Sequence, residues 1–472
     1  MTTVAIIGGG FTGAAVAIHL AAAVPTRTTR IVVFEPRRRL GAGLAYDTED
    51  PTHRINVPAA RMSVVPGDDE HFVRWLASVG EPADDPQAFR PDGTVFPKRG
   101  LFGRYVAAQI APLVSRGIVE YVREAVADVG RSDGRWVLTT ASGAKLAADV
   151  VVNATTHPPP SPPAALRPLG GHPRFIADPN GAGALEGIGA ADRVLLVGTG
   201  LTGADVIASL TARGHYGKIL AVSRHGLVSR GHAPVPQEPF GDFLARPAST
   251  ALSLLRTTRR TVREAAERGI TWHAVFDALR GQGQDIWTAL PVPERRRLVR
   301  HLRSYWDVHR FRIAPQVEDA LEQRLADGSL EVRAASLKAA GIGEDGTLSV
   351  DLRRRGGREI TQETADVVVV ATGPAHGSIL EAQPHLASLA AAGLVVLDEI
   401  GLGLSCDRSG RALDRSGQPV PTFLIAGPLA RGTFGELMGL PQVSTYAAFI
   451  AAELASMARV PSMVTGTSTK RR

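Results

Sequence analysis

Cysteine is almost missing from this sequence, with Cys406 the only one in 472 residues. An intrachain disulfide is therefore impossible, and a cysteine-based metal site or a redox Cys-x-x-Cys pair is excluded. With Gly, Ser and Asp around it, Cys406 reads as part of a turn or strand end. Long uninterrupted apolar runs are missing too. Residues 4–24 come nearest, but no basic segment leads them and three consecutive glycines, Gly8 to Gly10, break them. They read as a buried strand and helix rather than a signal peptide or membrane span, so a cytoplasmic protein without membrane insertion is expected. There is no internal repeat of solenoid or propeller period. The 50 glycines and 32 prolines are spread along the chain as turn chemistry. Neither sign of charge dominates: 53 Lys and Arg face 46 Asp and Glu, a net charge of +7. That modest field favours anionic ligands. The basic residues gather in 254–312, including Arg295, Arg296, Arg297 and Arg300. Their helical spacing with interspersed Glu reads as a solvated helix face, and no nucleic-acid signature accompanies it.

The length allows two or three domains. Residues 4–7 form a short β-rich run, a helix-length apolar stretch starts at Phe11, and residues 31–34 form a second buried strand. Between strand and helix stands Gly8-Gly-Gly-Phe-Thr-Gly13, which fits G-x-G-x-x-G in its strand–turn–helix context. In such a turn Gly8 permits the tight bend, Gly10 admits a pyrophosphate, and Gly13 lets helix pack on strand. Phe11 and Thr12 open the helix, whose free N–H groups attract phosphate. Glu35 ends the second strand, where an acid bonds ribose hydroxyls. This is a dinucleotide cradle, and its expected occupant is FAD.

A second cradle is written as Gly198-Thr-Gly-Leu-Thr-Gly203, after the apolar run 194–197. Gly198, Gly200, Leu201, Thr202 and Gly203 are expected to bind the second dinucleotide. Its second strand ends in Ser223-Arg224-His225 with no acid. Arg224 stands where an arginine accommodates a 2′-phosphate, favouring NADPH with NADH possible; the alternative is that it stacks on the adenine or faces water. The proline-rich segment 157–163 reads as an interdomain crossing. The expected fold is α/β, with two Rossmann-like dinucleotide-binding domains made of parallel sheets and helices, the second inserted in the first and extended by helices. The first domain would comprise 1–160 and 335–465, and the second 161–334 with a helical extension at 241–327. Residues 466–472 would be a flexible basic tail. One site holds a resident flavin and the other delivers hydride from a nicotinamide.

Further segments carry a resemblance. Gly41-Ala-Gly-Leu-Ala-Tyr46, His53-Arg-Ile-Asn-Val-Pro-Ala59 with Met62 and Ser63, and Tyr305-Trp-Asp-Val-His-Arg310 resemble the FAD-NAD(P)-binding family of the FAD-dependent urate hydroxylase and aspartate N-monooxygenase type. The resemblance spans nearly the whole chain and extends, more distantly, to flavin-containing and Baeyer–Villiger monooxygenases. It implies FAD in the first site, NAD(P)H in the second, and activation of O2 to oxygenate a small, nitrogenous molecule. The Phe-x-Gly-x-x-x-His-x-x-x-Trp signature of Baeyer–Villiger enzymes is absent, the nearest stretch being 170–175.

By the same resemblance, His53, Asn56 and Ser63 are expected to bond the flavin, with Val57 packing beside it. The alternative is a buried loop whose Asn caps its own turn. Thr155 follows the strand 149–152, while Gly427, Gln442 and Val443 belong to the segment expected to approach the flavin ring. Lys98, Arg99 and Arg104 either meet FAD phosphates or line an amphipathic helix. Arg310 and His309, with Asp307 and Arg312, are candidates for stabilising a peroxide anion and for acid–base work. Surface placement or a grip on NADPH explains them equally well. A reductase passing electrons to a quinone or carrier protein, and a flavin-binding redox sensor, are the competing functions.

Overall fold

The computed structural model describes residues 1–459, so the expected basic tail at 466–472 lies outside the described residues. The chain opens with β1 (Thr2–Ile7), α1 (Phe11–Ala23) and β2 (Thr29–Phe34). Then come α2 (Gly43–Tyr46), α3 (His71–Ser78), α4 (Arg99–Ser115), β3 (Val119–Val122), β4 (Val126–Ser132), β5 (Arg135–Thr140), β6 (Lys145–Ala148) and β7 (Val150–Asn153). The inserted half runs through β8 (Phe175–Ile176), β9 (Val194–Val197), α5 (Leu201–Ala212) and β10 (Ile219–Ser223). Five helices follow: α6 (Ala251–Ala266), α7 (Trp272–Gly281), α8 (Gly283–Ala289), α9 (Val292–Arg310) and α10 (Pro315–Ala326). Next are β11 (Leu330–Ile342), β12 (Leu348–Arg354), β13 (Ile360–Ala365) and β14 (Val367–Val370). The chain then returns through α11 (Pro384–Ala391), β15 (Arg411–Leu413), β16 (Pro419–Ile425), α12 (Arg431–Phe434) and α13 (Gln442–Arg459).

The first sheet has the order β15-β16-β7-β1-β2-β3, parallel except for edge strand β15. Residues 4–7 of β1 are all buried, as a parallel strand covered on both faces requires. Helices α1 and α13 pack together on this sheet. The second sheet runs β13-β12-β11-β10-β9-β14-β8, with β12 and β13 as antiparallel additions. A three-stranded meander, β4-β5-β6, stands apart.

Two sequence expectations shift. The segment 118–129 reads as part of an antiparallel excursion, yet β3 joins the first sheet in parallel with β2 and only β4 onward forms the meander. The strands expected to return to the first domain at 335 instead continue the second sheet. The reason is the length of β11: its first half pairs in parallel with β10, while its second half forms a hairpin with β12. The chain goes back to the first sheet only after β14, which lies beside β9. Among the described residues no helix is long and apolar enough to cross a membrane.

Candidate dinucleotide sites and the junction between them

Each glycine turn is locked by its own backbone. Gly8 has φ +97°, and a side chain there would press on the Ala154 carbonyl oxygen at 2.9 Å and the Thr155 nitrogen at 3.1 Å. A Cβ on Gly13 would overlap the Gly8 carbonyl oxygen, so only glycine lets α1 begin this close to β1. Phe11 and Thr12 are the first residues of α1, both buried, and Thr12 lies against Gly427. Gly10 faces Gly43 of α2. Glu35 is buried at the end of β2, its two carboxylate oxygens accepting the N–H groups of Gly9 and Arg37, each at 3.0 Å. A carboxylate has about four acceptor positions, which leaves room for ribose hydroxyls. These residues suit an adenosine diphosphate moiety.

The second turn repeats the design. A Cβ on Gly198 would overlap the Ala371 carbonyl, and one on Gly203 would overlap Gly198. Around Gly200 nothing lies within 4 Å, so backbone is open to a phosphate there, with Leu201 and Thr202 opening α5. The Thr199 hydroxyl lies 2.8 Å from the Ser223 hydroxyl, tying the turn to the end of β10. Arg224 follows. It lines a cavity of about 320 Å³ together with Arg353, Arg354, Arg355, Gly356 and Gly357. His225 is 2.6 Å from Arg355, and no carboxylate lines the cavity. Sequence reasoning reached Arg224 but missed the other three arginines. The run of basic residues before Gly356 was visible; only the pairing of β10 with β11 and of β11 with β12 brings it alongside.

Residues expected around the flavin also make contacts of their own within the chain. His53 sits 2.9 Å from Thr48 and 3.5 Å from Ser209 on α5. Burial holds its imidazole below the usual range, against the pull of Asp205. Beside it Arg99 makes a bidentate bridge to Asp205 at 2.9 and 3.1 Å, and also donates to the Arg54 carbonyl. His53 and Arg99 therefore join the two halves. Arg104 is an exposed partner of Glu81. A buried pair, Arg54 with Asp85, anchors the same loop. Asn56 accepts the N–H of Ala314 at 3.3 Å, and its carbonyl oxygen is 3.1 Å from His232, again across the junction. Val57 is half-buried beside it. Ser63 bonds the Val65 N–H and carbonyl oxygen at 3.0 and 2.9 Å, closing its own turn. The Thr155 hydroxyl donates to the Asn153 side chain, which also meets His385 at 3.0 Å.

Arg310 and His309 are not brought together. His309 stacks on Phe276 with ring centroids 4.8 Å apart and meets Trp272 edge-on. Arg310, buried, instead reaches Glu436 through Nε at 2.7 Å. Arg312 pairs with Asp277, and Asp307 with Arg303. Arg280 donates to the Leu440 carbonyl and, at 2.9 Å, to Gln442, the first residue of α13. Val443 is buried one residue further on. The junction thus gathers Gln442, Arg280, Arg310, Glu436 and the buried Arg431. Arg280 and Glu436 were not foreseen, because nothing local marks them.

Residues 5–158 match the model of the FAD-NAD(P)-binding family. The resemblance seen in the sequence therefore holds over the first cradle and the loop after it. No curated protein matches the chain. Among solved structures, ornithine hydroxylase of Pseudomonas aeruginosa in its reduced form aligns at 15% identity over 96% of this chain and 98% of its own, with TM-score 0.64. Ornithine N-hydroxylase of Kutzneria sp. 744, with reduced FAD, NADP+ and L-ornithine, aligns at 16% identity over 96% and 99%, TM-score 0.63. L-lysine 6-monooxygenase of Pseudomonas syringae aligns at 18% over 97% and 99%, TM-score 0.63. What is shared at these identities is the α/β fold, over nearly the full length of both chains.

Proposed function

We propose that the chain is an FAD-dependent, NADPH-using monooxygenase that oxygenates a small molecule with O2. The observation that carries this is the presence of two complete but unequal dinucleotide cradles. The first ends in the buried acid Glu35, and the second in an arginine-lined cavity without a carboxylate. Glu35 and the start of α1 would hold the adenosine diphosphate part of FAD. The α5 start and Arg224 with Arg353, Arg354 and Arg355 would hold NADPH, the arginines matching a 2′-phosphate by charge and fork geometry. When bound, the flavin accepts hydride from the nicotinamide and passes electrons to oxygen. The chain's own part is to position the two nucleotides, exclude water and place charge near the reacting ring. The structurally similar ornithine and lysine hydroxylases support the oxygenase reading. Cys406 is buried, alone, and pushed up to about 12 by burial, so it offers no thiolate route for the electrons.

Rapid mixing tests this. The yellow protein should bleach anaerobically with NADPH, and oxygenated buffer should then produce a transient near-ultraviolet band distinct from oxidised and reduced flavin. Direct return to the oxidised spectrum would point to a reductase. Failure of either nicotinamide to bleach the flavin would sink both.

A further inference from the structure

The junction between the inserted helices and the segment before α13 holds more positive charge than its carboxylates balance. Arg280 lies at the end of α7, Arg303 and Arg310 on α9, and Arg431 at the start of α12. Three carboxylates face them, of which Asp277 is taken by Arg312. Glu436 takes Arg310 and Asp307 takes Arg303, the latter at 3.3 Å. Arg280 and Arg431 remain without an ion pair among the described residues. Arg280 reaches neutral oxygens, those of Leu440 and Gln442. Arg431 is only 8% exposed. The Nε atoms of both are buried with no hydrogen-bond partner. Burial pushes Arg280 down to about 9 and Arg431 down to about 10, so both stay protonated at neutral pH.

An uncompensated buried guanidinium is strongly unfavourable, whereas an apolar side chain of similar volume would pack there without the electrostatic penalty. Two of them near the same Arg310–Glu436 pair indicate a negative charge supplied by a bound molecule. Dinucleotide phosphates already have the cradles at 8–13 and 198–203. The cations here come from both halves of the chain, with Arg280 and Arg310 on helices that belong to neither cradle. Arg280 also holds Gln442, whose segment is expected beside the flavin ring.

We infer that Arg280 and Arg431 are the anion-recognising end of the substrate site, and that the molecule oxygenated carries a carboxylate. The inference rests on the monooxygenase reading and adds the substrate class. Bidentate guanidinium recognition suits a carboxylate, and the closing of the junction around it would complete the charge balance.

The test uses the FAD-loaded enzyme titrated with succinate or benzoate, and with chloride at equal ionic strength. Wild type should show a saturable flavin difference spectrum with a carboxylate and none with chloride. Arg280→Met and Arg431→Met should weaken that response at least about tenfold, the loss of one charged bond. Without added anion the same variants should melt roughly 2–4 °C higher, because a buried unpaired charge is gone. Arg431→Lys, which keeps the charge, should retain a weakened response. Three results would each overturn the inference: no carboxylate effect beyond chloride in wild type; variants that melt lower or fail to fold; or variants that shift the flavin midpoint potential while keeping the carboxylate response. Flavin content and bleaching by NADPH, read on the same preparations, report separately on the functional reading.

Discussion

Replacing Arg224 with Ala removes one of four guanidinium groups around the cavity of about 320 Å³ at the end of β10. A phosphate monoester carries close to two negative charges near neutral pH, and NADH lacks it. A hydrogen bond to a charged group contributes about 1.5–3 kcal/mol, and Arg224 is exposed, so screening places its share at the low end. That corresponds to roughly a tenfold to thirtyfold rise in KM for NADPH. Arg353, Arg354 and Arg355 remain, so binding should weaken rather than vanish. The assay is the rate of flavin bleaching against nicotinamide concentration, run with NADPH and NADH in parallel. The NADH curve should move by less than about twofold, since no phosphate contact is lost. Raising ionic strength from about 0.05 to 0.5 M should shrink the wild-type preference for NADPH, as screening shortens the reach of the remaining charges. Equal rises for both nicotinamides would refute the assignment of this cavity to a 2′-phosphate.

Gly13→Ala forces a Cβ onto the Gly8 carbonyl, costing about 1–3 kcal/mol of strain, and should yield protein largely without FAD. Stoichiometric flavin absorbance in that variant would contradict the cradle. Asp205→Asn leaves Arg99, 15% exposed, facing a neutral amide at the junction. Urea unfolding should show a loss of about 2–3 kcal/mol, below the figure for a fully buried pair, and Arg99→Met combined with it should cost less than the two separately. Burial pushes His232 and His385 down to about 4, whereas an unfolded imidazole titrates near 6.5. The unfolded chain therefore takes up protons first, so this stability is complete above pH 6.5 and is lost as pH falls toward 4. Melting temperature followed across that range should drop, and His385→Asn should lessen the slope; an unchanged slope would exclude His385 as a source.

Both glycine turns were legible because a strand, a turn and a helix announce themselves within a few residues, and Glu35 and Arg224 stand at fixed distances beyond them. Domain membership of β11 to β14 was not. A strand of 13 residues that serves two partners looks the same in sequence as two strands of different sheets. His53 and Arg99 illustrate the limit at the site. Their residue types suit flavin or phosphate contacts, but Asp205 and Ser209 reach them from the other half, and that docking leaves no local trace. Ser63 turned out to serve its own turn, while Asn56, which the alternative reading had capping its own turn, instead accepts from Ala314 across the junction. Arg280 and Glu436 had no signal, since their partners lie more than a hundred residues away.

The two glycine turns press on backbone that leads out of each sheet. Gly8 is packed on Ala154 and Thr155 immediately after β7, where the chain sets off for the inserted half. Gly198 is packed on Ala371 and Thr372 immediately after β14, where the chain sets off back. The same Ala-Thr pair stands at both departures. Each covalent passage between the halves thus lies against one of the two nucleotide turns. A rotation of one half against the other starts at peptide groups that each touch one cradle, so lengthening either passage by a residue or two should disturb cofactor retention before it disturbs folding.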